Sequence, residues 1–346
     1  MLDRKNAKFG RPVLSQASEP AVPHRKAFDA YLRSGEDDGL RGLVLEGKGY
    51  NAAVVGEGGY LVDPQTSDTI RAALGSASSL RQIAQVVQVE AVSYDVLVDR
   101  SDVGSGWITE ASEIEETGTT SIERISISLH ELSAMPKASQ RLLDDSAFDI
   151  EGWLGGRIAE KFTRSEALAF ISGTGSGQPK GFLAHTKVAQ SSWEWGKLGY
   201  VATGEAADFD PDAPADAVVD LVYALEAGYR ANANFVMNSK TAGAVRKMKD
   251  SDGRFLWSDG LAAAEPARLL GYPVLICEDM PDIAANAYAI AFGDFRQGYT
   301  IAERPDLRVL RGPFSAKPHV LFYATKRVGG DVTDFAAIKL LKFAVS

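Results

Sequence analysis

The chain has 346 residues, of which 45% are hydrophobic and 24% are charged, a composition that excludes disordered and fibrous proteins. No apolar run approaches the roughly 18 residues that cross a bilayer, and the N-terminus lacks the apolar stretch of a signal peptide, so we expect a soluble protein that is intracellular when made. The formal net charge of -9 argues against tight binding of nucleic acid over a broad surface. The single cysteine, Cys277, stands in an apolar stretch and is expected to be a small buried hydrophobe.

Residues 1–59 are predicted to form an arm and not a domain. Three prolines and a glycine-rich stretch flank one short helical candidate, residues 26–34. Residues 1–26 carry six basic and two acidic side chains, which leaves four net positive charges. Such a segment contacts nucleic acid or an acidic neighbour, or it is a solvated tail, and the sequence favours neither. Ordered structure is predicted to begin with a strand at 60–62, a helix at 67–74 and a strand at 83–89.

Residues 94–123 have the pattern of a long two-stranded arm. Val96 and Val98 alternate with Asp95, Leu97 and Asp99, whose side chains would face the opposite side of a strand. The pattern breaks at Gly104 and Gly106 and resumes at Trp107. A lone two-stranded hairpin is only marginally stable in water. We therefore expect this arm to find its partner on another molecule, which points to an assembly protein.

Four glutamates follow Trp107 on this arm: Glu110, Glu113, Glu115 and Glu116. They form either a solvated loop face or one half of an electrostatic contact with a basic surface on a neighbouring subunit. A basic stripe of that kind is offered by three cations spaced four and three residues apart on a predicted helix: Arg157, Lys161 and Arg164. Single surface pairs contribute little, so an effect would come from repetition around a symmetric assembly.

A strand and a long helix are predicted after the arm. The strand has one buried face, formed by apolar residues that alternate with polar ones: Ile125, Ile127 and Leu129. Ser146 and Asp149 form a capping box at the start of a helix predicted at 146–172, about 39 Å long. Its apolar residues repeat every four positions at Ile150, Leu154, Ile158 and Phe162, continuing through Leu168 and Ile171. The glycine-rich residues 173–181 end the helix.

From residue 210 to residue 299 the pattern changes to short helices and strands, typical of a compact α/β domain. Pro214 stands where a helix would begin, and an apolar stripe follows at Val218, Leu221, Val222 and Leu225. Buried strands are predicted at 235–237, 274–277 and 288–292, with a helix at 241–249. The last part of the chain is predicted to return to β structure, at 300–303, 307–310, 320–325 and 336–341.

Residue patterns typical of catalysis or ligand binding are not found. The loop at 173–181 is rich in glycine, but Gln178 stands where a dinucleotide fingerprint requires glycine, and the loop follows a helix instead of opening one. Asn234 and Ser239 replace both glycines that a P-loop ending at Lys240 would need. The four histidines lie outside any metal-binding spacing, and no nucleophile elbow occurs. We therefore predict no catalytic residue, no cofactor and no metal site.

In the order of its elements the chain resembles the major capsid protein of tailed double-stranded DNA phages, which has the α+β Hong Kong 97-type fold. The resemblance covers essentially the whole chain from about residue 60. Several segments are more specifically similar to capsid proteins of alphaproteobacterial phages and gene transfer agents: FDAYLRSGE (28–36), GGYLV (58–62), QPKGF (178–182), GYVATG (199–204), DMPDIAAN (279–286), FSAKP (314–318) and IKLLKF (338–343).

The resemblance implies a division of the chain into the parts of that fold. These are an N-terminal arm or remnant of a scaffolding segment at 1–59, the start of the peripheral domain at 60–89, the extended loop at 90–123, the peripheral domain at 124–204 with its spine helix at 146–172, the axial domain at 205–298, and a return to the peripheral domain at 299–346. The candidates for inter-subunit contacts are Trp107, Glu110, Glu113, Glu115, Glu116, Arg157, Lys161, Arg164, Arg304, Asp306 and Arg308.

The resemblance also implies self-assembly as pentamers and hexamers into an icosahedral shell that encloses double-stranded DNA, without enzymatic activity. The implied partners are further copies of the chain, a portal protein, a scaffold or maturation protease, and head–tail connector proteins. The packaged DNA would be contacted weakly, because an acidic inner wall repels phosphate, and no membrane would be contacted. Assembly would take place in the cytoplasm of the bacterial host, and the final location would be the capsid of a virion or phage-like particle.

Two features depart from the family pattern. Some members lock their shells with an isopeptide bond from a lysine in the extended loop, but no lysine occurs between residues 94 and 124. Intertwined arms and burial would then have to stabilise the shell. Many members also begin with a long helical scaffolding segment, whereas fewer than 60 residues precede the body here. Three explanations stay open: a shortened segment, a separate scaffold protein, or a chain shortened from its natural length.

Two alternative functions remain at this point. One is an encapsulin-like compartment of the same fold that holds a protein cargo. The other is a soluble α/β enzyme with a site between two domains, anchored at the loop 173–181. Bulky replacements of Gly175 and Gly177 would abolish ligand binding in such an enzyme, and would chiefly disturb assembly in a shell protein.

Overall fold

The computed structural model describes residues 21–40, 60–61, 80–99, 122–139, 141, 143, 150–211, 213–248, 257–258, 268–316 and 319–345. Within these residues the chain forms two β-sheets, a separate two-stranded ribbon, and helices that pack on the sheets. The helix predicted at 67–74 and the capping residues Ser146 and Asp149 lie outside the described residues.

The first sheet is built around β16 (His319–Val332), its longest strand. Its other strands are β1 (Tyr60–Leu61), β2 (Gln85–Gln88), β5 (His130–Ala134), β6 (Lys137–Ser139), β14 (Tyr299–Glu303) and β15 (Arg308–Ala316). The order is β1-β15-β16-β14-β2, and β5 and β6 also pair with β16. Alternate side chains of β16 face the core: Val320, Phe322, Ala324, Lys326 and Val328 are all buried. One of these inward positions therefore holds a lysine.

The long helix predicted from the four-residue repeat is α2 (Ile150–Ser172), which has 23 residues and is about 35 Å long. The first four apolar positions of the repeat, and Ile171, are buried as predicted. The prediction that the buried stripe passes through Leu168 is wrong, because this side chain is 53% exposed. Leu168 lies six residues after Phe162, about 240° further around the helix axis. The repeat of four instead continues through Glu166 and Phe170, which are both buried.

The N-terminal helix α1 (Ala21–Ser34) packs on the same core as α2. Its buried side chains are Phe28, Tyr31 and Leu32. Arg311 of β15 donates hydrogen bonds to the backbone carbonyls of Leu32 at 3.1 Å and Arg33 at 3.0 Å, and so satisfies free carbonyls at the C-terminal end of the helix. This helix is longer than the predicted segment at 26–34, and it belongs to the core of the first sheet instead of standing apart from it.

Among the described residues the second sheet has eight strands: β7 (Lys187–Ala189), β8 (Leu198–Ala202), β9 (Asn234–Met237), β10 (Trp257–Ser258), β11 (Arg268–Leu269), β12 (Tyr272–Ile276), β13 (Ile290–Gly293) and β17 (Ile338–Lys342). Their order is β10-β11-β12-β9-β13-β17-β8-β7. The helices of this part of the chain are α3 (Asp216–Ala224), α4 (Ala227–Arg230), α5 (Ser239–Arg246) and α6 (Phe295–Gly298). The apolar stripe predicted on α3 is confirmed, since all four of its residues are buried. Cys277 is also buried as predicted, and burial, with Asp279 and Glu278 nearby, raises the pKa of its thiol to about 12.

The base of the predicted arm is an antiparallel ribbon of β3 (Ser93–Asp99) and β4 (Ile122–Ser128). The predicted alternation of buried and exposed residues on the second strand is confirmed, because Ile127 and Leu129 are buried against Ala302 of the first sheet. Leu97, on the opposite face of the ribbon, is 67% exposed. The ribbon is therefore attached to the body by one face of its base.

The two sheets share a hydrophobic cluster at the C-terminal end of α2. Phe170 packs edge-on against Tyr299, with ring centroids 6.0 Å apart, and Phe182 packs on Phe295 at 5.6 Å. The buried hydroxyl of Tyr299 donates a hydrogen bond to the carbonyl of Lys180 at 2.9 Å. Residues of both sheets therefore share one hydrophobic cluster beside the C-terminal end of α2.

Gly293 is required where β13 passes the start of β17. A Cβ at this position would lie 2.1 Å from the carbonyl oxygen of Ala337. We expect Gly293→Ala to lower the free energy of unfolding by about 1–3 kcal/mol, because the backbone must shift to admit the methyl group. Urea unfolding would measure the change.

The matched control is Gly243→Ala in helix α5, where nothing lies within 4 Å of an added Cβ. This change should be neutral or stabilising by up to about 1 kcal/mol, because alanine has the higher helix propensity. Equal stabilities of the two variants would contradict the prediction.

Candidate assembly interface

Four charged side chains meet in the interior, between α2 and the first sheet. Glu166 comes from α2, Glu303 from β14, Lys326 from β16, and Arg81 from a 3-10 turn at Leu80–Gln82. Arg81 donates hydrogen bonds to Glu166 at 3.2 and 2.7 Å and to Glu303 at 2.9 Å. The Nζ atom of Lys326 lies 2.9 Å from Glu166 Oε1 and 2.8 Å from Glu303 Oε2. None of the four side chains is more than 8% exposed.

The two positive and two negative charges of this buried cluster compensate each other. Burial disfavours the charged form of Arg81, but Glu166 and Glu303 outweigh that effect and hold the pKa of the guanidinium above its ordinary value. Burial also acts to raise the pKa of Glu303, yet Lys326 and Arg81 lower it below the ordinary value. Removing one member would leave a buried charge without compensation, which is strongly destabilising. The cluster therefore constrains how α2, β14 and β16 can be placed relative to one another.

Sequence reasoning missed this cluster. Arg81 lies 85 positions from Glu166 and 222 from Glu303, Lys326 lies 160 positions from Glu166, and no local pattern connects the four residues. One signal was present: Glu166 occupies an apolar position of the four-residue repeat on α2. A carboxylate on the buried stripe of a helix requires a buried cation, and the sequence does not say which one.

The basic stripe predicted on the long helix lies on the solvent-exposed side of α2. Arg157, Lys161 and Arg164 are all exposed, which suits contact with another molecule. Glu160 lies among them and binds both arginines, 3.3 Å from Arg157 Nη1 and 2.9 Å from Arg164 Nη2. Its spacing of three and four residues from the arginines could have indicated this role. The stripe therefore carries three positive charges and one negative charge.

The candidates near the end of β14 pair within the subunit. Arg304 Nη2 donates a hydrogen bond to Asp306 at 2.9 Å, and both side chains are partly exposed. Arg308 begins β15, where its position in the sheet is opposite Thr325 on one side and Leu61 on the other. A neighbouring subunit would have to bind Arg304 and Asp306 as an already formed ion pair.

The glycine-rich loop at 173–181 is a packed turn. Gly175 and Gly177 adopt φ angles of +82° and +69°, in the left-handed region that favours glycine. A Cβ at Gly173 would lie 2.2 Å from the carbonyl oxygen of Pro179. The turn and its close packing account for these three glycines without a bound phosphate.

The remaining candidates are on the arm. Trp107 and the four glutamates Glu110, Glu113, Glu115 and Glu116 lie outside the described residues. Within the part of the chain that is described, no three His, Cys, Asp or Glu side chains are grouped so that they could hold a metal ion. No helix of that part is long and apolar enough to cross a membrane.

Comparisons with known proteins relate this architecture to capsids. Residues 58–343 match the model of the Phage capsid family. The chain is similar to one from the capsid of an empty GTA particle computed with C5 symmetry, with 74% identity and a TM-score of 0.69 over 78% of this chain and 97% of that chain. A chain from the capsid of a native GTA particle computed with C5 symmetry gives the same identity and coverage and a TM-score of 0.70.

A more distant similarity shows the fold alone. A chain from Microbacterium phage Oxtober96 is 14% identical, with a TM-score of 0.57 over 78% of this chain and 91% of that chain. A comparison with curated proteins found no match.

The two sheets, the long helix and the ribbon define a protein with the Hong Kong 97-type capsid fold. Since the family model spans residues 58–343, which is most of the sequence, the chain belongs to the phage capsid family. It is a major capsid protein, and its location is the capsid of a phage or phage-like particle. The resemblance seen in the sequence is confirmed for the fold and for this function.

The buried cluster predicts a large effect of Glu166→Gln. The change leaves two buried cations with one carboxylate, so we expect a loss of about 3–5 kcal/mol in the free energy of unfolding, measured with chemical denaturant. The matched control is Glu160→Gln, an exposed change on the same helix that should alter stability by less than about 0.5 kcal/mol. Similar stabilities for the two variants would refute a structural role for the cluster.

The lowered pKa of Glu303 predicts a pH dependence of stability. A carboxyl with a lowered folded-state pKa contributes stability that is present above its unfolded-state pKa, near the ordinary 4.5, and is lost as the pH falls through the folded-state pKa. The stability advantage of the wild-type protein over Glu303→Gln should therefore shrink as the pH falls below about 4.5. Denaturant titrations between neutral and acid pH would measure it, and an advantage that stays constant would argue against this assignment.

Proposed function

We propose that this chain assembles as pentamers and hexamers into an icosahedral shell that encloses double-stranded DNA, in a gene transfer agent particle or a related phage particle. The observation that carries the proposal is the 74% identity to capsid chains of GTA particles over 97% of those chains. Those particles were computed with C5 symmetry. A five-fold axis requires copies of one chain to meet through two different surfaces, so a ring of this chain needs complementary sides.

The ribbon supports a role of the arm in joining subunits. Its base is fixed to the first sheet through Ile127, but the outer face exposes Leu97, and the chain between the two strands adds 22 residues beyond the base. A two-stranded hairpin of this length buries too little apolar surface to be stable alone. Contact with a neighbouring subunit would supply that burial, so that ordering of the arm and assembly are coupled.

The charges of the arm and of α2 are complementary. Four glutamates stand close together on the arm, and the stripe of Arg157, Lys161 and Arg164 is exposed on α2. Glu160 reduces the stripe to two net positive charges and holds the two arginines in place. We propose that the acidic group of one subunit lies on the stripe of a neighbour, where repetition around the shell multiplies a contact that is weak by itself.

Two further parts of the proposal concern enzymatic activity and the contact between the shell and the packaged DNA. We infer that the protein has no enzymatic activity, and the packed turn at 173–181 supports this, because its glycines serve backbone geometry. We infer only weak contact with the packaged DNA, which the net charge of -9 supports through repulsion of phosphate. The other partners proposed for this shell are a portal protein, a scaffold or maturation protease, and head–tail connector proteins.

The experiment that tests the proposal is negative-stain electron microscopy of the full-length chain, purified by size after expression in bacteria. Closed shells, or rings of five and six subunits, are the expected result. The contents of nuclease-treated particles would then separate DNA from a protein cargo, which would indicate an encapsulin-like compartment. A monomer that stays unassembled when a scaffold and a portal protein are supplied would contradict the proposal.

If the arm is an interface, a substitution on it should impair assembly of the shell and leave folding of the subunit intact. We expect Trp107→Ala to leave the thermal midpoint of the isolated subunit within about 2 °C of wild type, because the arm contributes little to the core. Particle yield should fall several-fold, because the large aromatic side chain would be lost from an intersubunit contact. Light scattering and electron microscopy measure the yield. Normal yield and particle stability would remove the case for the arm as an interface.

A matched control is Trp195→Ala in the turn before β8, where the ring packs on Phe335 with centroids 5.9 Å apart. This change should lower the thermal midpoint, since it removes an internal aromatic contact. The two tryptophans thus distinguish an assembly defect from a folding defect.

A further inference from the structure

The second sheet carries a cleft of about 460 Å³ at one end of its strands. One wall is α4 with the segment that leads into β9, and the other wall is the turn between β11 and β12. Its charged lining residues are Arg230 and Arg268. No carboxylate is found among the described residues that line it, so the charges of the lining itself are both positive.

Arg230 retains hydrogen-bonding capacity inside this cleft. Its Nε atom is buried and has no acceptor among the described residues. A buried N–H without an acceptor costs free energy, and a carboxylate that bound the guanidinium would recover it once the side chain turned to present this atom. The guanidinium carbon lies 5.2 Å from the ring centroid of Tyr223, which is 70% exposed. Exposed tyrosine and arginine are the residue types that most often dominate binding between proteins, so this corner has the chemistry of a docking site for an acidic segment.

A second surface of the same domain carries the opposite charge. After β8 the chain forms a loop at 204–211, on which Glu205 and Asp208 are exposed. Phe209, on the same loop, is buried against Phe343 with ring centroids 4.9 Å apart. The anchor holds the loop on the body of the domain, so that its carboxylates are presented to solvent without a large further ordering cost on binding.

The strand order keeps the two surfaces apart within one subunit. β17 is parallel to β8, β12 is parallel to β9, and β13 is antiparallel to both β17 and β9, so β8, β17, β9 and β12 all run in the same direction. The acidic loop leaves the C-terminal end of β8, whereas the cleft lies at the N-terminal ends of β9 and β12. Four strand steps, about 19 Å, also separate β8 from β12. The carboxylates and the arginines therefore lie at opposite strand ends and four strands apart, so we expect them to meet between subunits and not within one.

We propose that the acidic loop 204–211 of one subunit binds the cleft formed by Arg230 and Arg268 of the next subunit around a capsomer. A contact between two different surfaces repeats from subunit to subunit and closes into a ring, as a five-fold or six-fold capsomer requires. Tyr223, beside Arg230, supplies apolar area at the same contact. The inference rests on the proposed function, because it requires that this chain form rings.

The test reverses the charge of each surface separately in the full-length chain. The cleft variant carries Arg230→Glu and Arg268→Glu, and the loop variant carries Glu205→Lys and Asp208→Lys. A third variant combines all four substitutions and is called the fourfold variant. A control variant carries Lys240→Glu and Lys247→Glu, which reverse two exposed lysines elsewhere in the same domain. Circular dichroism checks the fold of each subunit, and sedimentation velocity with electron microscopy measures assembly.

The cleft variant and the loop variant are each expected to lose about tenfold or more in particle yield, because like charges then face each other at every contact. The fourfold variant should regain assembly, since loop and cleft again have opposite charges.

Co-expression of the cleft variant with the loop variant gives the sharpest result. The two kinds of subunit complement each other when they alternate, which a ring of six permits and a ring of five does not. Six-membered rings or open sheets, without closed shells, are expected from the mixture.

Other outcomes would overturn the contact. Wild-type yield from either reversal variant, or an equal loss from the control variant, would refute the docking of loop on cleft while wild-type particles still support the proposed function. A fourfold variant that folds but remains unassembled would also refute it. If the wild-type chain itself formed no rings or shells with scaffold and portal proteins supplied, the proposed function and this inference would both be wrong.

Discussion

Glu166, Glu303, Arg81 and Lys326 meet where three elements that are distant in the chain come together: the long helix, the central strands of the first sheet and the turn at Leu80–Gln82. A hydrophobic contact tolerates some sliding, because it has no preferred direction. Hydrogen bonds between buried charges do not tolerate sliding, because a small displacement leaves a charge unpaired in a medium of low dielectric constant. The cluster therefore acts as a geometric constraint more than as a source of stability. The position of α2 on its sheet, and with it the direction of every side chain that α2 presents to solvent, depends on this arrangement.

Charges are compensated differently in the interior and at the surface of this protein. Inside, two cations meet two carboxylates, and each is held by several short contacts. Outside, the stripe on α2 has three cations for one carboxylate, and the arginine cleft of the second sheet has none among its described lining residues. Incomplete compensation costs little in water, where each charge is solvated, but it provides a preference for an oppositely charged neighbour. A subunit with unbalanced charges at its surface is suited to repeated association, since every copy presents the same pattern of charge.

The ribbon and the N-terminal helix show two ways of attaching a segment to this body. Helix α1 buries three large side chains and has its terminal carbonyls satisfied by Arg311, so it is stable within the subunit. The ribbon buries one face of its base and exposes Leu97 on the other. Apolar burial is roughly proportional to area, so the first segment folds with the subunit and the second requires additional burial from elsewhere. This difference separates a part of the core from the part that we propose serves assembly.

The sequence by itself determined the local elements of this protein. The alternation around Ile127, the four-residue repeat on α2 and the stripe on α3 identified strands and helices, because side-chain periodicity follows directly from backbone geometry. The order of those elements, with short matching segments, was sufficient for the fold family. Only the tertiary structure decided which charges meet. It turned Leu168 outward, buried Glu166 in the apolar stripe, and brought Arg81 to Glu303 across 222 positions. It also separated the acidic loop from the arginine cleft by placing them at opposite ends of one sheet. Such pairings depend on distances in space, and periodicity along the chain carries no information about them.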